Sequence, residues 1–397
     1  MGSINLGRVR GPGVPEGGTM GQVLVKKTST NYDTKWVDSE EIAGNNSGSG
    51  SGGLGSVAAY AGIGPFLVAS GKKQLTLNNE GETIIIDVAP SLDAGSLTGG
   101  KDYYVFLHKD NGTTHVSLSK INPQGISASN VLLIGGFHTL CNDAGSGMTY
   151  VEGGVTKSHP LNGYLAGDIL PASVWCLNHR PFSEPEGMVY IDSLDIWVDI
   201  YLQSGSGANT KSVYQGAITR SRQYVDHVED MFCVKKELLD DGEFAAAMLG
   251  SNEMTAVAGA DEAGATSGGA GGRVDTAGRR MISIYGVEEG CGTLWHWLRT
   301  TSAAGYQGIL HGQTSAEGVE PVTYGAITMT DGTNYGPHPQ AGGKGAYWGI
   351  AGALLAGGAW YSSASCGSRC RAAAHGRAFA NSSYGGRGRS RTIRAFG

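Results

Sequence analysis

Charge is the first thing this sequence is short of. Only 16% of its 397 residues are Asp, Glu, Lys or Arg, and they balance to a net charge of -6. A chain that grips nucleic acid through its overall charge carries the opposite sign, so bulk nucleic-acid binding is not expected. Long apolar runs are missing too. Nothing approaches the roughly 18 residues that a membrane-crossing helix needs, so no membrane insertion is expected. The opening MGSINLGRVRGPGVPEGG has no apolar segment of the kind a secretory signal carries. Cysteine is sparse and scattered, at positions 141, 176, 233, 291, 366 and 370, with no CxxC pair. Cys366 and Cys370 lie close in sequence, but no third and fourth ligand accompanies them, so a zinc site is not expected. The six are read as buried thiols made in a reducing cytoplasm. Phosphate-loop and serine-hydrolase motifs are absent. No Asp/Asn/Glu cluster near the C-terminal end suggests calcium. The expectation is no metal, no cofactor and no catalytic residue.

Glycine is what the chain has in excess, with 66 residues and no Gly-X-Y period. Glycine-rich turns between short apolar runs point to a mainly β architecture. The front, 1–42, is polar and Gly/Pro-rich around one compact motif. There Val23 and Val25 alternate with polar neighbours, Asn31-Tyr32-Asp33 reads as a turn, and Trp36-Val37 forms a second apolar segment. So little apolar surface cannot bury a core alone. Residues 43–56, AGNNSGSGSGGLGS, read as a flexible linker. From 57 to 205 the pattern is β-rich. Strands are expected at 74–77, 83–88, 103–107, 115–118, 131–138, 173–177, 188–191 and 195–201, with Asp110-Asn111-Gly112 as a hairpin turn. His138, between Phe137 and Leu140, is read as a satisfied core histidine.

After 205 the period changes. Val225, Val228, Phe232 and Leu239 recur at helical spacing, which predicts a helix burying that stripe. Residues 243–249 predict a second short helix closed by Gly250. Residues 256–278 read as a long surface loop and 281–285 as a strand. The last stretch, 346–397, has no acidic residue and spaces seven arginines (369, 371, 377, 387, 389, 391 and 394) among Gly, Ser and Ala. It fits neither a helix nor an alternating strand, so it is read as short strands and loops pinned by arginines.

Two resemblances add to this reading. Gly21-Gln22-Val23-Leu24, Tyr32-Asp33-Thr34 and Trp36 resemble the attachment region of phage tail and head fibres, which trimerises. The DYYV segment, the hairpin and IGGFH resemble a module common in such fibres. From about 212 onward the chain resembles the variable proteins of diversity-generating retroelements, which end in a C-type-lectin fold. The resemblance rests on Leu239-Asp240-Asp241-Gly242-Glu243-Phe244, Arg279-Arg280-Met281-Ile282-Ser283, Gly286-Val287-Glu288-Glu289 and Cys291-Gly292-Thr293-Leu294-Trp295-His296-Trp297-Leu298. It continues through Leu354-Leu355-Ala356-Gly357-Gly358-Ala359-Trp360, Cys366-Gly367-Ser368-Arg369-Cys370-Arg371 and Gly386-Arg387-Gly388.

What the resemblance implies is a mainly β chain with four parts. These are a fibre anchor and trimerisation segment (1–42), a linker (43–56), a β-rich fibre domain (57–205) and an α+β C-type-lectin-like variable domain (206–397). Mutation in such systems is directed to template adenines, which at Asn-type codons yields no Lys, Glu, Gln, Met or Trp, and none of these five occurs between 361 and 384. The implied ligand-binding, diversified positions are Ala359, Tyr361, Ser362, Ser363, Ala372, Ala374, His375, Phe379, Ser383 and Tyr384. Trp295, Trp297, Trp360, Arg369 and Gly386 are implied scaffold, and Trp348 is expected to bury area beside them. Tyr361, His375, Phe379 and Tyr384 are expected to be exposed on one surface. The implied function is a non-catalytic receptor-binding protein at a phage tail-fibre tip, carried on the virion, with a host-surface protein or glycan as partner and tail or baseplate proteins at the N-terminus. Two alternatives stand beside it. One is an oxidase of the formylglycine-generating kind, which shares the fold and would need Cys366 and Cys370. The other is a variable adhesin on a bacterial surface. Because 1–42 cannot bury a core by itself and resembles a fibre anchor that trimerises, the intact chain is expected to sediment as a homotrimer. A stable monomer at micromolar concentration in the ultracentrifuge would remove the anchor reading.

Overall fold

The computed structural model describes residues 22–26, 34–38, 66–79, 82–93, 95–302, 327–329, 345–349, 352–373 and 376–394. Two compact units divide the chain, 1–53 and 54–397. In the first, the strands Gln22–Lys26 and Thr34–Asp38 pair antiparallel with Val23 opposite Val37 and Leu24 opposite Trp36. The expected turn at 31–33 and the linker at 43–56 lie outside the described residues.

Among the described residues, three sheets of three or more strands carry the second unit, beside two two-stranded ones. A meander runs through Phe66–Gly71, Gln74–Asn79 and Glu82–Asp87. A nine-stranded sheet follows the order Met188–Ile191, Ile196–Asp199, Gly388–Arg394, His179–Pro181, Trp175–Cys176, Val131–His138, Asp102–His108, Thr114–Ser117, and Glu237–Leu238 also pairs with Gly388–Arg394. The final strand of the described chain therefore sits inside a sheet made mostly of residues 102–199. A six-stranded sheet holds Ile327–Met329, Gly345–Gly349, Gly367–Ala373, Gly352–Gly357, Trp295–Ser302 and Tyr384–Gly385.

Local chemistry explains the pieces. The turn after Asp102–His108 closes at Gly112, which has φ +69° and donates its N–H to the His108 carbonyl at 3.0 Å. Gly135 and Gly136 are there for close approach: a Cβ on the first would lie 2.2 Å from the Trp175 carbonyl, and one on the second 2.9 Å from the Trp175 ring. Any side chain there would push Trp175–Cys176 out of register with Val131–His138. His138 is a satisfied core histidine, 2% exposed, with Nδ1 2.8 Å from Asp102 Oδ1 and Nε2 2.9 Å from the Tyr201 hydroxyl. Of the cysteines, only Cys233 is exposed and the other five are buried.

The helix Tyr224–Cys233 reverses the expected face. Tyr224, His227, Asp230 and Met231 are buried, while Val225 and Val228 are exposed and Phe232 is 82% exposed. The reason is a polar network with every charge answered. The Asp230 carboxylate accepts from Gln203 Nε2 at 2.7 Å, from the Gly207 N–H at 2.7 Å and from Arg222, and His227 Nδ1 donates to Gln203 Oε1 at 2.6 Å. Charge-assisted bonds of this kind outweigh the burial of two valines and a phenylalanine. The helix stops before Leu239, which is buried separately.

The second helix spans Asp241–Ala247 and is set by a capping box. Glu243 N–H donates to Asp240 Oδ1 at 2.7 Å, and Asp240 N–H to Glu243 Oε2 at 2.8 Å. Residues 281–285 form no strand: they turn back at Gly286 (φ +98°) and make only an isolated bridge from Ile282 to Glu288. The 256–278 segment is not a plain surface loop either. It carries the helix Glu262–Thr266 and buries Ala256, Val257, Ala265, Ala270 and Asp275.

Burial pushes His159, His179 and His227 down from 6.5 to about 4. The unfolded chain therefore takes up protons below pH 6.5 that the fold refuses until near pH 4. The stability carried by these neutral imidazoles is complete above about pH 6.5. It is lost as pH falls toward 4, by up to about 1.4 kcal/mol per pH unit per histidine. Thermal melts should show Tm dropping through that window, and His227→Gln, which can still donate to Gln203, should flatten the drop. A Tm unchanged between pH 7 and 4.5 would contradict it.

Candidate functional site

The arginine-rich end supplies both the clamps and the surface. Arg387, completely buried, donates to the carbonyls of Asp199 (2.7 Å), Ile200 (2.5 Å) and Glu288 (2.5 Å). Burial pulls it down to about 10, so it stays protonated at neutral pH. Arg371, also fully buried, pairs with Asp241 and donates to the carbonyls of Ser368 and Cys370 at 2.9 Å each. Its guanidinium lies 5.0 Å over the Phe244 ring. Arg369 is 3% exposed. Gly386 leaves room for a neighbour: a Cβ there would come within 2.8 Å of His227 Nδ1.

An aromatic block fills the space between strand Trp295–Ser302 and strand Tyr384–Gly385, which run parallel with Trp295 opposite Tyr384. Trp297 is completely buried, and the rings of Tyr384 (5.3 Å, 85°) and Tyr224 (5.7 Å, 74°) meet it edge-on. Edge-to-face pairs of this sort contribute about 0.5–1.5 kcal/mol beyond the area they bury. Trp295 is buried, and Trp360 is half-buried against the core with its N–H donating to the Thr293 carbonyl. The side chain of Trp348 lies outside the described residues.

The candidate positions divide by exposure. Tyr361 is 57% exposed, its ring edge-on to Trp360 at 5.6 Å, and Phe379 is 39% exposed. Ser363 is exposed in a left-handed conformation (φ +48°), and Ser362 is half-buried with its Oγ accepting from the Ala359 N–H at 3.1 Å. Ala359, Ala372 and Ser383 are buried. Tyr384, expected on the surface, is 4% exposed, because its parallel pairing with Trp295 turns the ring onto Trp297. These four present little or nothing directly to a ligand. Ala374 and His375 lie outside the described residues.

Tyr361 and Phe379 are joined by a polar seam. The Tyr361 hydroxyl lies 3.0 Å from Ser383 Oγ, and Phe379 leans on Tyr384 at 5.8 Å. Two residues absent from the expected set belong to this surface. Arg377 is exposed, 5.5 Å over the Tyr224 ring, and its carbonyl accepts from the Tyr224 N–H. Asn381 forms an Asx turn, accepting from the Ser383 N–H at 2.9 Å. The Asn-Ser-Ser sequence was the available signal for that turn.

Cys366 and Cys291 are buried, and burial raises both thiols well above their usual range, away from the thiolate a nucleophile needs. Among the described residues no three His, Cys, Asp or Glu side chains are grouped to hold a metal ion, and no helix is long and apolar enough to cross a membrane.

Burial predicts opposite outcomes for two tyrosines of the candidate set. Tyr384→Ala empties a site packed on Trp297 and should cost about 3 kcal/mol or more. Tyr361→Ala should cost under about 1 kcal/mol. Equal shifts in chemical denaturation would show that the two share one environment.

Residues 75–176 match the family described as the Mtd second domain. A search of curated protein sequences returns no match. Among solved structures, the Major Tropism Determinant P3c Variant superposes with a TM-score of 0.59 at 19% identity, covering 84% of this chain and 85% of its own. The M1 Variant gives 0.58 at 18% identity over 85% of each chain, and the I1 Variant 0.57 at 17% over 84% and 85%. The protein is thus built like the major tropism determinant variants, mainly β with a C-type-lectin-like end, and its residues 75–176 are similar to the Mtd second domain.

Proposed function

We propose that this chain is a non-catalytic receptor-binding protein of a phage, whose lectin-like C-terminal surface is diversified by a retroelement to meet varied host-surface ligands. The observation that carries the reading is the separation of frame from face. Arg371, Arg387, Trp297 and Tyr384 are buried and hold the irregular end of the chain, while Tyr361 and Phe379 stand exposed on it. Exposed aromatics on a rigid support are the contacts that recognition surfaces favour, because they bring large area with few rotatable bonds. The likeness to proteins titled Major Tropism Determinant supports a role in choosing a host. In this reading the N-terminal unit attaches to the phage tail as a homotrimer, and the protein resides on the virion.

The oxidase alternative is disfavoured by the raised, buried thiol of Cys366. Two simultaneous changes, Tyr361→Ala and Phe379→Ala, should reduce attachment of the intact chain to its host cells at least a hundredfold, since deficits multiply across three linked sites. Tm should move by no more than a few degrees. Full attachment by this variant would sink the assignment of the face, and a near-copy of the 3′ coding region differing at adenines, beside a reverse transcriptase, would support the retroelement part.

A further inference from the structure

Resting on that reading, we propose that Asn381 sets the hydrogen-bond polarity of the binding face. It makes Tyr361 an acceptor toward the ligand, so the face selects a hydrogen-bond donor, an amide N–H or a hydroxyl, rather than a carboxylate or phosphate.

The argument starts from one backbone N–H, which can only donate. Ser383 N–H points at the Asn381 side chain at 2.9 Å, so the atom it meets is the amide oxygen, and the orientation of Asn381 is fixed. That oxygen is also 2.8 Å from Ser383 Oγ. A carbonyl oxygen has no proton to give, so the single hydroxyl proton of Ser383 is committed to Asn381. Ser383 Oγ then has only lone pairs left for the Tyr361 hydroxyl 3.0 Å away, and the tyrosine must donate inward. The chain of bonds runs Tyr361 to Ser383 to Asn381 with every proton assigned. Ser383 is 1% exposed, so no solvent competes at the middle link. What remains of the Tyr361 hydroxyl for a ligand is a lone pair, beside its own exposed ring and that of Phe379. The only charge on the described part of this loop is Arg377, which suits a carbonyl next to the recognised donor. Asn381 is a positioning residue: it acts through Ser383 and Tyr361.

Attachment of the intact chain to host cells tests this with four variants. Tyr361→Phe, which removes the lone pair, should lose about five- to tenfold at each site, the worth of one hydrogen bond, and the losses multiply across the linked sites. Tyr361→p-aminophenylalanine keeps an inward donor but is a poor acceptor, so it should lose as much as Phe. Asn381→Ala frees the Ser383 proton and should lose a similar factor. Asn381→Asp, still an acceptor, should restore attachment to within about twofold. A readout free of ligand is the hydroxyl exchange of Tyr361, taken from ¹³Cζ-tyrosine signals as wild type minus Tyr361→Phe. It should be slow in the native chain and in Asn381→Asp, and fast in Asn381→Ala.

The proposal is overturned if p-aminophenylalanine attaches like tyrosine, or if Asp at 381 is no better than Ala. Should the Tyr361→Ala and Phe379→Ala pair abolish attachment while Tyr361→Phe is silent, the face stands and its polarity is wrong. Should that pair attach normally, the face itself is wrong.

Discussion

The buried guanidinium of Arg387 is the constraint from which the rest of the C-terminal half follows. A cation removed from water is costly unless its donors are answered. The nearby carboxylates are already engaged. Asp199 takes Lys236 at 2.5 Å and the Gly388 N–H at 3.0 Å, Glu288 takes Arg280 at 2.6 Å, and Glu289 takes Arg273 at 2.5 Å. Arg387 therefore turns to backbone carbonyls at Asp199, Ile200 and Glu288. That choice ties two distant segments, at 199–200 and at 288, to one residue. It also fixes where the chain enters its last strand, so Gly388–Arg394 joins the nine-stranded sheet while Tyr384–Gly385, three residues earlier, belongs to the six-stranded one. One buried side chain thus welds the lectin-like sheet to the sheet before it.

A frame held this way frees the surface above it. The bonds of Arg371 and Arg387 go largely to main-chain carbonyls, which exist whatever the side chains are, so changes at neighbouring positions leave these acceptors in place. Packing energy sits in Trp297 and the rings that meet it, below the face. Tyr361 rests on Trp360 and can be exchanged with little effect on the core. Small residues do the complementary work: Gly357 and Gly358 adopt φ near +85°, and a Cβ on Gly357 would strike the Gly290 carbonyl at 2.5 Å. The chain can turn there only because nothing projects.

Much of this was legible in the sequence, and the failures share a cause. Alternation found the strands around 103–107 and 131–138, Asp-Asn-Gly found the hairpin, and the absence of any regular period in 346–397 correctly announced arginine-pinned strands and loops. These features are local, decided within a few residues. The helix at Tyr224–Cys233 was located but turned the wrong way, because its buried side is chosen by partners that periodicity cannot see: Gln203, the Gly207 N–H and Arg222. Tyr384 was placed outside for the same reason. Nothing in its own neighbourhood announces that its strand will run parallel to Trp295–Ser302 and lay the ring on Trp297. The 281–285 strand failed because Gly286 and Ser283 favour a turn over the apolar pattern. Asn381 is the opposite case: its Asx turn has a local signal in the Asn-Ser-Ser sequence.

The burial pattern also limits what diversification could achieve on the proposed reading. Positions that open on solvent, such as Tyr361, Ser363 and Phe379, can accept side chains of almost any size. Ala359 and Ala372 are enclosed, and enlarging them would overpack the core at a cost of about 1–3 kcal/mol each. Ser383 is restricted twice, by volume and by the proton it must send to Asn381. Positions 361 and 383, 22 residues apart in sequence, are then not independent: the hydroxyl of one completes the hydrogen bonding of the other. A substitution at 383 that removes the hydroxyl changes what Tyr361 offers a ligand without touching the ligand itself. The usable repertoire is therefore smaller than the product of its positions, and it is organised in coupled pairs. Such a surface would find a new partner most readily through changes at the open positions, with the enclosed ones acting as tuning sites for their exposed neighbours.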